Sequence, residues 1–257
     1  MSLLLPSPSQ RRLRGSPLEL VVCQVRHEEL DATGLKERAR RIRSRLKDAY
    51  PTLRPGGAVQ VRVAATPQGV GVEEQHGWHL VSGDGFWTAV VAGDFFALET
   101  SQYLDWDDYL SRFFALAHAV VSESDIAIEL RLGLRYVDRL REPEATEPID
   151  WARHIRPAFA GPLATEELGR AVRGLQGLMQ LAGDDGMVVN LRYGCVQPEA
   201  AATWDFLLDH DCFREGGRDF DLREIESGMQ GLHTLALQVF QYAVMPDYFK
   251  FLAGETA

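Results

Sequence analysis

Two short stretches carry the residues that could do chemistry. RLGLRYVDRL, residues 131–140, sets Arg131, Arg135 and Arg139 four apart, with Gly133 and Val137 between them. On the two-residue repeat of a strand these share one face, and Leu132, Leu134, Tyr136 and Leu140 share the other. WDFLLDHD, residues 204–211, has the complementary row: Asp205, Leu207, Asp209 and Asp211 on one face, Trp204, Phe206, Leu208 and His210 on the other. VVNLRYGCV, residues 188–196, adds Asn190, Arg192 and Gly194 on a polar face. Two chemistries fit. Opposite charges across neighbouring strands build a register-setting lattice, each pair contributing about 0.2–1 kcal/mol. Alternatively, Arg131, Arg135 and Arg192, with Asp209 and Asp211 beside them, line a cleft that binds an anion through bidentate guanidinium hydrogen bonds. The lattice is the first expectation and the anion site the second.

Other candidate chemistry is thinner. Asp209 and Asp211, with Asp205, could share a hard cation such as Mg²⁺. No ligand from another element presents itself, so neither metal nor cofactor is expected. His210 points away from both flanking aspartates and is read as a core histidine. The remaining histidines lack metal-ligand spacing, and no GxSxG, P-loop or GxGxxG pattern occurs. No catalytic residue is therefore assigned. Residues 35–50, LKERARRIRSRLKDAY, form the one basic helix, with Arg38, Arg41 and Arg45 on a single flank. That flank is expected to be solvated or protein-paired. Phosphate contacts of a nucleic acid are the alternative.

Elements must position these residues. Apolar runs predict strands at 17–25, 58–65, 126–140 and 202–213, with Pro55-Gly56-Gly57 as a turn. Hairpins are expected around Gly83-Asp84-Gly85 and Asp184-Asp185-Gly186. Asp105 caps a helix with a buried stripe of Trp106, Leu110, Phe113, Ala117 and Val120. A second helix follows a turn-rich 214–220, burying Leu222, Ile225, Met229, Leu232, Ala236 and Val239. Residues 141–170 read as connection. Each half runs hairpin, strand, helix, a weak internal duplication. The expected fold is α+β, a mostly antiparallel sheet with amphipathic helices on one face. A flexible tail, 1–15, precedes one domain, 16–257, with pseudo-halves about 16–140 and 141–257.

Composition bounds the function. The chain has 257 residues, 46% hydrophobic and 25% charged, with a formal net charge of −10. Its first 60 residues nevertheless hold 12 Lys and Arg against 6 Asp and Glu. A pI of about 5.2 argues against nucleic acid as the main partner. Three dispersed cysteines, no signal-peptide pattern and no long apolar run lead to an expected cytoplasmic location, away from membranes.

The segments PLELVVCQVRHEE, WHLVSGDGFWTAVVAGDFFALETSQYLDWDDYLSRF, RLGLRYVDRL, WDFLLDHD and LHTLALQVFQYAV occur in this order along the chain. In order and spacing they resemble a sporadically distributed bacterial protein family of unknown function. The resemblance spans nearly the whole chain and implies one folding unit. Similar proteins usually have asparagine where this chain has Asp138. No activity comes with the resemblance. The family's patchy distribution implies an accessory role, such as those of mobile or defence-related gene neighbourhoods. A binding or adaptor protein with a protein partner or a homo-oligomeric state is the expected function. A phosphate-handling enzyme on the Arg/Asp face and a nucleic-acid accessory protein on the basic helix are the alternatives.

Overall fold

A computed structural model describes residues 4–9, 11, 13–31, 33–62, 71–199 and 201–255, the side chains of 58–62 and 71–76 excepted. The fold is α+β. Nine strands form a mostly antiparallel sheet in the order β2-β3-β4-β5-β1-β6-β9-β8-β7. The strands are β1 (Leu18–His27), β2 (Thr52–Arg62), β3 (Gly71–Val81), β4 (Trp87–Val91), β5 (Phe95–Thr100), β6 (Ile128–Leu140), β7 (Leu175–Ala182), β8 (Val188–Val196) and β9 (Asp205–Asp219). The helices are α1 (Leu35–Arg45), α2 (Trp106–Val121), α3 (Pro157–Ala160), α4 (Leu222–Ala243) and α5 (Pro246–Ala253). Short 3-10 turns occupy much of the segment expected to be connection, at Pro148–Arg153, Gly161–Ala164 and Gly169–Ala171.

The chain divides into two compact units. The first comprises Met1–Val21, Gly133–Glu215 and Arg223–Ala257; the second comprises Val22–Leu132 and Gly216–Leu222. In the first, β7, β8 and β9 pair antiparallel, with Leu178 opposite Arg192 and Arg192 opposite Asp209. Their apolar faces meet helices: Phe159 of α3 lies edge-on to Tyr193, and Phe240 of α4 edge-on to His210. Residues before β1 also bind here. Ser9 N–H donates to Gln241 Oε1 (2.8 Å) and Gly15 N–H to the Leu252 carbonyl (3.0 Å). In the second unit, β2 to β5 form an antiparallel meander, and α2 packs Tyr109 and Phe113 on Trp87 and Phe96.

Both expected hairpins form. Gly85 has φ 79°, and Asp185 and Gly186 have φ 52° and 75°, left-handed values that the D-G dipeptides anticipate. Two glycine pairs behave otherwise. Pro55-Gly56-Gly57 is not a turn but lies inside β2, paired with β3. A Cβ on Gly56 would fall 2.5 Å from the His79 ring, so this glycine makes room across the pair. Proline is tolerated because β2 is an end strand. Likewise, most of 214–220 is not turn-rich: β9 runs on through Gly216 and Gly217 to Asp219.

The α2 stripe is rotated from its expectation. Tyr109, Phe113, Leu116 and Ala117 are buried, whereas Trp106 and Leu110 are half-buried. The Tyr109 hydroxyl donates to the Leu98 carbonyl (2.7 Å), which lets a tyrosine occupy the core. Asp105 caps the helix by accepting the Asp108 N–H (2.9 Å), while the Asp108 carboxylate turns to Arg112. The α4 stripe is as expected except at Leu222, half-buried, and is widened by Gly228, His233, Leu235, Phe240 and Ala243.

Candidate functional site

The polar face of the first unit is an ordered charge array. Arg135 grips Asp209 through two parallel bonds, Nε to Oδ1 at 2.7 Å and Nη2 to Oδ2 at 2.8 Å. Arg192 Nη1 approaches the same Oδ2 at 3.4 Å. The carboxylate is buried between the two guanidinium groups, so its charge is compensated twice. The bonds from Asp209 hold the Arg135 guanidinium above its ordinary pKa, against the opposing effect of burial. Further along β6 and β9, Arg139 reaches Asp205 (3.5 Å) and also Glu19 of β1 (3.2 Å), and Arg141 also bonds Glu19. Asp211 stands opposite Asn190 and adds negative charge near Arg135. Arg131 belongs to the second unit, where its charge acts on the buried Cys23 thiol. Arg135, Arg192 and Asp209 are thus brought together as the strand faces anticipate.

Beneath this array, on the apolar face, lies a polar cluster that sequence reading missed. Asp138, Tyr136, His210 and His233 are all buried. Tyr136 Oη and His233 Nδ1 share a hydrogen bond of 2.8 Å, and His210 Nδ1 lies 3.5 Å from Asp138 Oδ2. Burial raises the Asp138 carboxyl pKa, the nearby His210 imidazole working against it. Burial alone depresses the His233 imidazole to about 4, so this ring is neutral at physiological pH. The signal was available: Asp138 shares the parity of Tyr136 and Leu140, and His210 the parity of Phe206 and Leu208.

The basic flank is committed within the second unit. Arg41 Nε and Arg45 Nε donate to the two oxygens of Glu123 at 2.7 and 2.8 Å. Those bonds lower the Glu123 pKa, Arg41 contributing most. Arg38 donates to the Asp31 carbonyl (3.3 Å), and Lys36 Nζ lies 5.5 Å from the Trp78 ring centre. The three cysteines are buried and unpaired, and burial raises all three thiols, that of Cys195 to about 12. They are held as thiols, not as nucleophilic thiolates. Among the described residues, no group of three or more His, Cys, Asp or Glu is arranged to hold a metal ion. No described helix is long and apolar enough to cross a membrane.

A different feature of the first unit is built for contact. β7 ends the sheet and pairs only with β8 among the described residues. Its sequence, LQGLMQLA, has neither charge nor proline, and Leu178 at its middle is 53% exposed. Natural edge strands usually carry such protection. The opposite end strand, β2, does so with Arg54 and Pro55. Comparison with known proteins returned no match to a family model, a curated sequence or a solved structure.

Proposed function

We propose that this chain is a non-enzymatic adaptor of a bacterial accessory system. It works in the cytoplasm within a protein assembly and takes up its partner along the edge of β7. The observation that carries this reading is the unprotected end strand. An extended partner segment gains main-chain hydrogen bonds by strand addition, and alternate side chains then supply specificity. The cationic features support it indirectly. Arg135 and Arg192 already hold Asp209, and Arg41 and Arg45 already hold Glu123, so an anionic ligand would have to displace a carboxylate at either place. Unpaired buried cysteines suit a reducing compartment.

The test is a photo-crosslinking amino acid at the exposed Gln176 or Gln180, with Arg38 on α1 as the control position, in the native host. A protein crosslinked from β7 and not from α1, and lost on Leu178→Lys, is the expected result. A phosphate or nucleotide that raises the melting temperature of the native chain, but not of Arg135→Ala, would replace this reading with a small-molecule site.

A further inference from the structure

We infer that the occupant of the β7 edge is a second copy of this chain, added antiparallel about a two-fold axis through Leu178. The inference rests on the strand-addition reading and goes further by naming the partner.

The charges around the strand are sorted by sign. Arg170 and Arg173 precede β7, and Asp184 and Asp185 form the turn that follows it. All four are exposed, and none takes part in an ion pair among the described residues; Arg173 Nη1 donates only to the Arg170 carbonyl (3.1 Å). A parallel partner copy would set like charges side by side. An antiparallel copy lays the basic end of each strand along the acidic turn of the other, twice per dimer. Complementarity of this kind fixes orientation and register.

Alternation of side chains narrows the register. A sheet that continues across a two-fold axis must place residues of the same face opposite each other, so the axis passes through a residue and not between two. With the axis at Leu178, its exposed side chain meets its own copy. Gln176 then faces Gln180, Leu175 faces Leu181, and Gly177 faces Met179. No charge opposes a like charge anywhere in the pairing. The polar face keeps its amides together and the other face its aliphatic groups, so each class of side chain finds its match. The pairing also covers the largest apolar group exposed on β7.

Sedimentation equilibrium of the full chain tests this, with circular dichroism on each variant. The unaltered chain is expected to dimerise, more weakly as salt rises. Leu178→Lys, which opposes two ammonium groups on the axis, is expected to weaken dimerisation roughly ten-fold or more without changing the fold. Two end variants then test the pairing of the end charges. Arg170→Glu with Arg173→Glu makes both ends acidic. Asp184→Lys with Asp185→Asn makes both ends basic, asparagine accepting the positive φ at 185. Each variant alone is expected to be monomeric, and an equimolar mixture to form a heterodimer. A monomeric native chain, a dimer indifferent to Leu178→Lys, or a mixture that stays monomeric would each overturn the self-pairing. Where a different protein crosslinks from Gln176 while the chain stays monomeric, the adaptor reading stands and the second copy is replaced. Where neither occurs, both fall.

Discussion

Asp138 and Arg135 lie on the two faces of one strand, and their charges are managed differently. Arg135 and Asp209 satisfy each other with two bonds at the edge of solvent. Replacing either with alanine should lower stability, and the double variant should recover part of the loss. A coupling of about 1 kcal/mol, reduced by the partial exposure of Arg135, is expected from a double-mutant cycle of thermal melts. Asp138 is buried, and among the described residues its ionic neighbour is His210, at 3.5 Å. Asp138→Asn should therefore raise the melting temperature at pH 7, by removing a poorly compensated buried charge. Acid acts through His233. Its folded pKa, about 4, lies below the unfolded value of about 6.5. Between those values the unfolded chain binds the proton first, so stability falls as the pH falls, by at most about 3 kcal/mol. Asp138, with its raised pKa, opposes that loss as the pH falls through its folded value. Melts from pH 7 to 4 should be flatter for His233→Gln and steeper for Asp138→Asn. The Arg135–Asp209 pair was legible because strand parity puts both on one face. The Asp138–His210 approach was equally open to parity, but a charged residue had been set aside from an apolar face.

At the scale of elements, β6 carries its burial on alternate residues from Leu134 onward, with Leu132 and Leu134 fully buried. Leu134→Asp places an unpaired charge in that layer, at a cost of several kcal/mol. Loss of native circular dichroism is the expected outcome, and a soluble variant with unchanged melting temperature would reverse the assignment of the faces. Two arginines of helix α1 share one carboxylate. Glu123→Gln should cost no more than about 1 kcal/mol, because Arg41 and Arg45 are half exposed. It should also release two guanidinium groups, giving measurably tighter non-specific DNA binding at low salt than the native chain shows. Strands and long helices were readable from periodicity, and D-G turns from their backbone demands. Gly56 and Gly216 were not, because glycine signals both a turn and a strand residue that needs room or an unusual φ. The rotation of α2 was hidden for another reason: the Tyr109 hydroxyl finds its acceptor on the preceding strand, β5, which the periodicity of the helix itself does not register.

At the scale of the molecule, the strands at the middle of the sheet have neighbours that are far apart in the chain. β6 adjoins both β1 and β9 in the sheet, so half of the sequence cannot complete its own pairing. A fragment ending at residue 140 repeats the hairpin-strand-helix pattern of the weak duplication yet lacks β9. It should show little native secondary structure by circular dichroism and be rapidly degraded by protease, in contrast to the full chain.

The division of the chain has a further consequence for biosynthesis. Strands β1, β6 and β9 each contribute residues to both compact units, and the unit containing the first hairpin is closed only by residues 216–222. A ribosome therefore exports the chain through Glu215 before the second unit begins to receive its last segment, and through Leu222 before the first unit does. Meanwhile LQGLMQLA, uncharged and rich in aliphatic groups, has already left the tunnel. Its native neighbour β8 follows after five residues, so this hairpin can pair while β9 is still emerging, and chaperone capture at that stage would guard the outer edge of β7 against premature association.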